Sequence, residues 1–332
     1  MPRLRPPTAP LPREAYVEVT NRCNLLCETC PRTHFELEPP ADLTLERMRE
    51  VLDQLPGLDR LVLHGVGEPL LNRELPAMIA DGARRGAHVV FNTNGVLLDR
   101  RRGDAITAAG LAELRVSLDA ATPATYARVR GADVLPRILA NVAAFTARRR
   151  TRGDDAPAVT VWATALRENL AELPALVRLA AEVGARGVNL QRPAFNGLRL
   201  ATAPQSARRD LSARQEEVLA ACREEAARAG IAITGSGGTG GEGALVAGGG
   251  EGAWRSCRRP WKVLYLTAHG TVLPCCIAPF ATTDMRAIVL GDALRDGVAA
   301  AWNGPAFRRF RARHQSDDPP VPCAPCGSEW SL

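Results

Sequence analysis

Three closely spaced thiols, placed directly after a β-prone run, constrain this chain more than any other feature. Cys23-Asn-Leu-Leu-Cys27-Glu-Thr-Cys30 has C-x3-C-x2-C spacing and follows Ala15-Tyr-Val-Glu-Val-Thr20. A strand that ends in a short loop can set three thiolates around one corner of a cubane. Structural zinc asks for four ligands closing a tetrahedron, and only His34 stands nearby as a fourth. Three thiolates on a [4Fe–4S] cluster leave one iron open for a further ligand. The competing reading is three unrelated buried thiols. Against it, no other cysteine occurs before Cys222, so the grouping is not a by-product of a cysteine-rich composition.

On this triplet the chain resembles the radical S-adenosylmethionine (SAM) superfamily, although Thr29 stands where the family often has an aromatic residue. The resemblance implies a cluster whose open iron chelates the amino and carboxylate groups of SAM. It also implies reductive cleavage of SAM to methionine and a 5′-deoxyadenosyl radical that takes hydrogen from a substrate.

Beyond the triplet, strand-like and helical runs alternate. Ala15–Thr20, Arg60–His64, His88–Asn92, Leu114–Leu118, Val159–Thr164 and Gly187–Gln191 read as strands. Thr44–Leu55, Asn72–Arg85, Val134–Arg150, Leu170–Val183 and Ser206–Ala229 read as amphipathic helices, with Gly57, Gly86 and Gly184 at expected stops. Alternation with short connections predicts parallel βα units. Six of them make an α/β fold with a partial (β/α)6, TIM-like barrel over residues 15–234, preceded by an arm over 1–14.

Functional groups in such barrels gather at the C-terminal strand ends. After the second strand comes His64-Gly-Val-Gly-Glu-Pro69. It is similar to the family's Gly-Gly-Glu motif, which implies that Gly67 and Glu68 meet the SAM amino group. Asn92-Thr-Asn-Gly95 follows strand three and Val116-Ser-Leu-Asp119 closes strand four. By position the resemblance assigns Asn94, Ser117 and Asp119 to SAM, and Arg130 to its carboxylate. Asn169 and Gln191, after strands five and six, are candidates for adenine and substrate. Read without the resemblance, Asn94-Gly95 is an ordinary turn and Asp119 a helix cap.

The chain changes character at residues 235–253, where Gly235-Ser-Gly-Gly-Thr-Gly-Gly and Ala247-Gly-Gly-Gly-Glu-Gly252 read as a linker. Beyond it, Cys257 precedes a hairpin pattern over Val263–Cys275 with its turn at His269-Gly270, and Cys323-Ala-Pro-Cys326 closes the set. Four thiolates could converge there on a second cluster or a zinc ion, or remain inert. The pattern resembles the auxiliary-cluster extension called SPASM, or twitch in its shorter form. It includes Ala301-Trp-Asn-Gly304 and Phe310-Arg311. The resemblance implies a small α+β domain over 254–332, with a second [4Fe–4S] cluster on Cys257, Cys275, Cys323 and Cys326. Because six residues follow Cys326, the expectation is the one-cluster, twitch-type form. Cys276 reads as an alternative ligand, a packing residue, or a catalytic thiol donating hydrogen to a substrate radical. Cys222, in an Ala-rich helix, reads as core.

Hydrophobic residues at 46% with a net charge of +6 describe a globular chain. No run approaches the roughly 20 apolar residues of a bilayer span, the N-terminus lacks a secretion signal, and no nucleic-acid motif accompanies the arginines. The expectation is a cytoplasmic enzyme with no membrane or nucleic-acid partner, served by a flavodoxin- or ferredoxin-type electron donor. A fully ligated second cluster suits an electron conduit. The first expectation is therefore oxidation of a small polar substrate, as in the similar twitch-type aminocyclitol dehydrogenases. Sugar epimerisation with a cysteine hydrogen donor and radical maturation of a ribosomal peptide are the alternatives.

Overall fold

The structure, a computed structural model, describes residues 5–191, 212–235 and 253–324. Cys326 and the glycine-rich stretch over 236–252 lie outside the described residues. Each expected strand is present: β1 (Glu14–Val17), β2 (Arg60–Leu63), β3 (His88–Thr93), β4 (Glu113–Ser117), β5 (Ala158–Thr164) and β6 (Gly187–Gln191). They pair in parallel in chain order, with Glu14 opposite Arg60 and Arg60 opposite His88 setting the register. Helices at Leu45–Leu52, Leu75–Arg84, Arg100–Ala108, Leu135–Arg152, Leu173–Glu182 and Ser212–Ala229 return the chain between strands. Thr44 and Asp99 cap two of them by accepting from Arg47 N and Arg102 N, as short polar residues at helix starts do.

Period two explains the wall. Leu61 and Leu63, Leu114 and Val116, and Val159, Val161 and Ala163 are essentially unexposed beneath the helices. Each large apolar side chain so buried contributes about 1.5–3 kcal/mol. Their alternates point the other way, into the bore.

Two features extend beyond the six βα units. A seventh parallel strand, β7 (Ala232–Gly235), follows β6 at one edge; its Ala-Ile-Thr-Gly sequence carries too few apolar residues to signal a strand. At the other edge the hairpin β8 (Val263–Leu266) and β9 (Thr271–Leu273) forms with its turn at Gly270, as expected. However, β8 pairs in parallel with β1, Glu14 opposite Val263, and β10 (Gly291–Asp292) continues from β9. One ten-stranded sheet therefore runs through both halves of the chain.

The C-terminal helices Val298–Asn303 and Pro305–His314 hold the N-terminal arm. Trp302 Nε1 donates to Pro10 O, Asn303 exchanges hydrogen bonds with Ala9, and Arg311 Nη1 donates to Pro7 O. Arg311 is unexposed and stacks against Trp302 and Phe307, 4.4 and 4.1 Å from the ring centroids. The Trp-Asn and Phe-Arg signals of the C-terminal pattern thus serve packing. Arg311→Ala should lower unfolding stability by about 2–4 kcal/mol, since several carbonyls lose a charged donor; urea denaturation of the purified chain measures it.

Candidate active site

The cysteine loop leaves the C-terminal end of β1 and is gripped from two sides. Glu68 N donates to Arg22 O at 2.8 Å, and a Cβ on Gly67 would fall 2.1 Å from Thr20 O. Only glycine lets the β2 loop pass this close to the chain entering Cys23. On the other side the helix Pro123–Arg130 ends in Gly131 at φ +74°, and a Cβ there would meet Leu26 O at 2.4 Å. Glu28 N donates to Val129 O across the same seam. The three thiols share one surrounding: burial pushes Cys30 up to about 11, with the charges of Cys27 and Cys23 adding to it. Among the described residues no three His, Cys, Asp or Glu side chains meet tightly enough for a single metal ion. A cubane instead spreads its thiolates over separate irons.

Glu68 is almost fully buried, which raises its pKa. Its carboxylate accepts from Leu70 N (3.0 Å), Thr93 Oγ1 (2.8 Å) and Asn94 N (2.7 Å). It therefore locks the β2 loop to the β3 loop. Asn94 in turn donates through Nδ2 to Asn24 Oδ1 at 2.8 Å and lies 3.9 Å from Cys23 Sγ. Asp119 Oδ1 accepts from Thr164 N, while Oδ2 stands 2.6 Å from Arg130 Nε. Burial works against the Arg130 charge, but Asp119 and then Cys27 outweigh it and hold the guanidinium protonated. Arg130 Nη1 is 3.9 Å from Cys27 Sγ. Hydrogen-bond donors aimed at cluster sulfurs tune such centres, so the donor set fits an iron–sulfur cluster.

Several sequence expectations separate here. Glu68, Asn94, Asp119 and Arg130 do converge on the cysteine loop, mainly by bracing one another. Asn169 does not open to a ligand: it is fully buried, accepting from Leu166 N and donating to Asp119 O and Thr164 O. It fastens the β4 end to the β5 end instead. Ser117 and Gln191, closing β4 and β6, are not completely buried and face the bore.

That bore is polar. Tyr16, His64, Ser117, Trp162, Asn189 and Gln191 face it, each largely but not completely buried. On its floor Arg115 stacks on Trp162 at 4.1 Å and donates to Glu113 at 3.0 Å. Burial, and then the Arg115 charge, lowers His64 to about 4, leaving its imidazole neutral. Sequence reasoning passed over Arg115 and Glu113. Their alternation with Leu114 and Val116 is the signal that could have found them.

Cys257, Cys275 and Cys276 form a second group, their charges all acting on the Arg259 guanidinium, Cys276 most strongly. Tyr16, on the bore side of β1, also senses Cys276. Cys276 is half-buried and its thiol pKa is raised by burial. Cys323 is half-buried against the main core. Cys222 is unexposed core, as its helix implied.

A profile of the radical SAM superfamily matches residues 17–180, and a SPASM profile, an iron-sulfur cluster-binding domain, matches 257–327. The chain is a radical SAM enzyme with a C-terminal SPASM domain. PqqA peptide cyclase of Streptomyces rochei is 29% identical over 328 residues, covering 96% of this chain and 83% of that protein. Streptococcus suis SuiB bound to S-adenosylmethionine superposes with a TM-score of 0.69 at 13% identity, covering 91% of this chain and 68% of SuiB. SuiB bound to its precursor peptide SuiA gives 0.67. At that identity the SuiB likeness speaks for the fold alone.

The cofactors of this radical SAM enzyme are accordingly SAM, a radical SAM [4Fe–4S] cluster and auxiliary iron–sulfur binding in the SPASM domain. Among the described residues no helix is long and apolar enough to cross a membrane. Gly67→Ala should cut iron bound to the N-terminal site to less than half. The added methyl forces the β2 loop off Thr20 O, and iron and sulfide analysis of anaerobically reconstituted protein reads the loss.

Proposed function

We propose that this radical SAM enzyme matures a peptide, installing a crosslink or cyclic linkage through a carbon-centred radical. The observation that carries this reading is the match to PqqA peptide cyclase over 96% of the chain. The polar inward lining, with Tyr16, Trp162 and Gln191 not completely buried, is compatible with a peptide side chain reaching the reacting centre. Oxidation of a small aminocyclitol-type alcohol, the first expectation from the sequence, finds no such support among these relatives, and neither does sugar epimerisation.

Cys23, Cys27 and Cys30 would hold the catalytic cluster, with Arg130 and Asn94 beside its sulfurs. Cys257, Cys323, Cys326 and either Cys275 or Cys276 would hold the auxiliary one. When bound, SAM supplies the 5′-deoxyadenosyl group as a hydrogen-abstracting radical after one-electron reduction from a flavodoxin- or ferredoxin-type donor. The protein's part is positional. The backbone of Gly65–Glu68 and the side chains of Ser117 and Arg130 orient SAM at the mouth, while the bore admits the side chain to be modified and the β-wall excludes bulk water.

The experiment is reaction of reconstituted enzyme with SAM, reductant and a short peptide encoded beside its gene, read by mass spectrometry. A loss of two hydrogens from the peptide per 5′-deoxyadenosine is expected. Any one of Cys23, Cys27 or Cys30 changed to Ala should reduce deoxyadenosine at least a hundredfold. Cys257→Ala should leave deoxyadenosine formation while removing product. Conversion of an aminocyclitol to a ketone, with peptides untouched, would reverse the assignment.

A further inference from the structure

Glu18, the residue after β1, was given no role by the motifs, yet it occupies the junction of both halves of the molecule. Its side chain is 3% exposed. Oε2 accepts from Val66 N at 2.7 Å and Oε1 from Ala268 N at 3.3 Å. These partners lie 48 and 250 residues away in sequence. One belongs to the β2 loop and the other to the turn between β8 and β9. Gly65 is packed so tightly on the carboxyl that a Cβ there would come 2.1 Å from Oε2. The same turn is gripped by the segment that follows the cysteine loop: Thr271 Oγ1 donates to Glu38, and His269 Nε2 lies 2.8 Å from Pro39 O. Asn21, two residues before Cys23, ties that segment back through hydrogen bonds with Pro39 and Ala41.

A buried carboxylate is costly unless its oxygens are satisfied. Here the donors that satisfy it come from two segments far apart in the chain. We propose that Glu18 is a positioning residue that fastens the Gly65–Glu68 segment to the turn of the SPASM hairpin, so that SAM affinity depends on how the auxiliary domain is seated. The proposal rests on the reading of Gly65–Glu68 as a SAM-orienting segment.

Its chemistry predicts a pH signature. Burial raises Glu18 to about 7, the two backbone N–H groups pull it down, and nearby Glu38 and His269 oppose each other. Buried Tyr265 faces it from β8. Because the pKa is raised, the carboxylate with both oxygens accepting exists above about pH 7. Closing the clamp carries the group from the ordinary carboxylate range up to about 7, so the closed state holds its proton more tightly than an opened one; the clamp is firmest below that value and slackens as pH rises through it and an enclosed charge appears.

The test is SAM binding to anaerobically reconstituted enzyme by equilibrium dialysis between pH 6 and 8.5, beside amide hydrogen exchange. Glu18→Gln, whose amide nitrogen cannot accept from the second backbone N–H, should weaken SAM binding about tenfold at pH 6 with cluster iron retained, and flatten the alkaline-side loss that wild type shows. Exchange should rise at both Val66 and Ala268. Glu18→Asp, which keeps the charge but shortens the reach, should give a smaller loss and serves if the Gln variant folds poorly. Wild-type affinity and pH profile in both variants, or faster exchange at only one of the two amides, would overturn the proposal. A Glu68→Gln control separates the two readings. If that variant binds SAM normally, the assignment of the segment to SAM fails; if it binds poorly while the Glu18 variants bind well, only the role of Glu18 fails.

Discussion

The mouth of this barrel depends on a carboxylate that has no water to fall back on. Glu68 is enclosed, and an enclosed carboxylate left without donors costs several kcal/mol. Leu70 N, Thr93 Oγ1 and Asn94 N meet that demand, and in doing so they hold the loops after β2 and β3 in one relative position. Asn94 then reaches the cysteine loop, and Gly67 allows the β2 loop to lie on the backbone that enters it. The thiol-bearing loop is thereby held in one position relative to both strand ends.

Arg130 extends the logic to the other side of the loop. Its helix opens on Thr122 and Thr125, both bonded to Glu172, and closes on Gly131 against Leu26. The guanidinium is delivered between Asp119 and Cys27 by both ends of a short helix. Residues that a motif would assign to a ligand are thus also the residues that hold one another. A substitution among them perturbs the loop before it perturbs any single contact.

The relation between the two halves is closer than a linker suggests. Because β8 joins β1 in parallel, the SPASM hairpin continues the barrel wall, and the N-terminal arm is clamped by Trp302, Asn303 and Arg311. Tyr16 on β1 and its β8 neighbour Tyr265 pack in one cluster with Cys275 and Cys276.

What the sequence by itself determined is what local periodicity and spacing encode: six βα units, the cysteine triplet, the hairpin with its glycine turn, and the family they resemble. Each rests on neighbours a few residues apart. It could not show that Asn169 is spent on backbone groups, that Glu18 joins segments far apart in the chain, or that β8 completes the β1 edge. Those facts depend on which distant donors meet a buried acceptor. The lining of the bore lay between the two: Arg115 and Trp162 alternate legibly with buried Val116 and Val161, but only the pairing of β4 with β5 brought them onto one inward face.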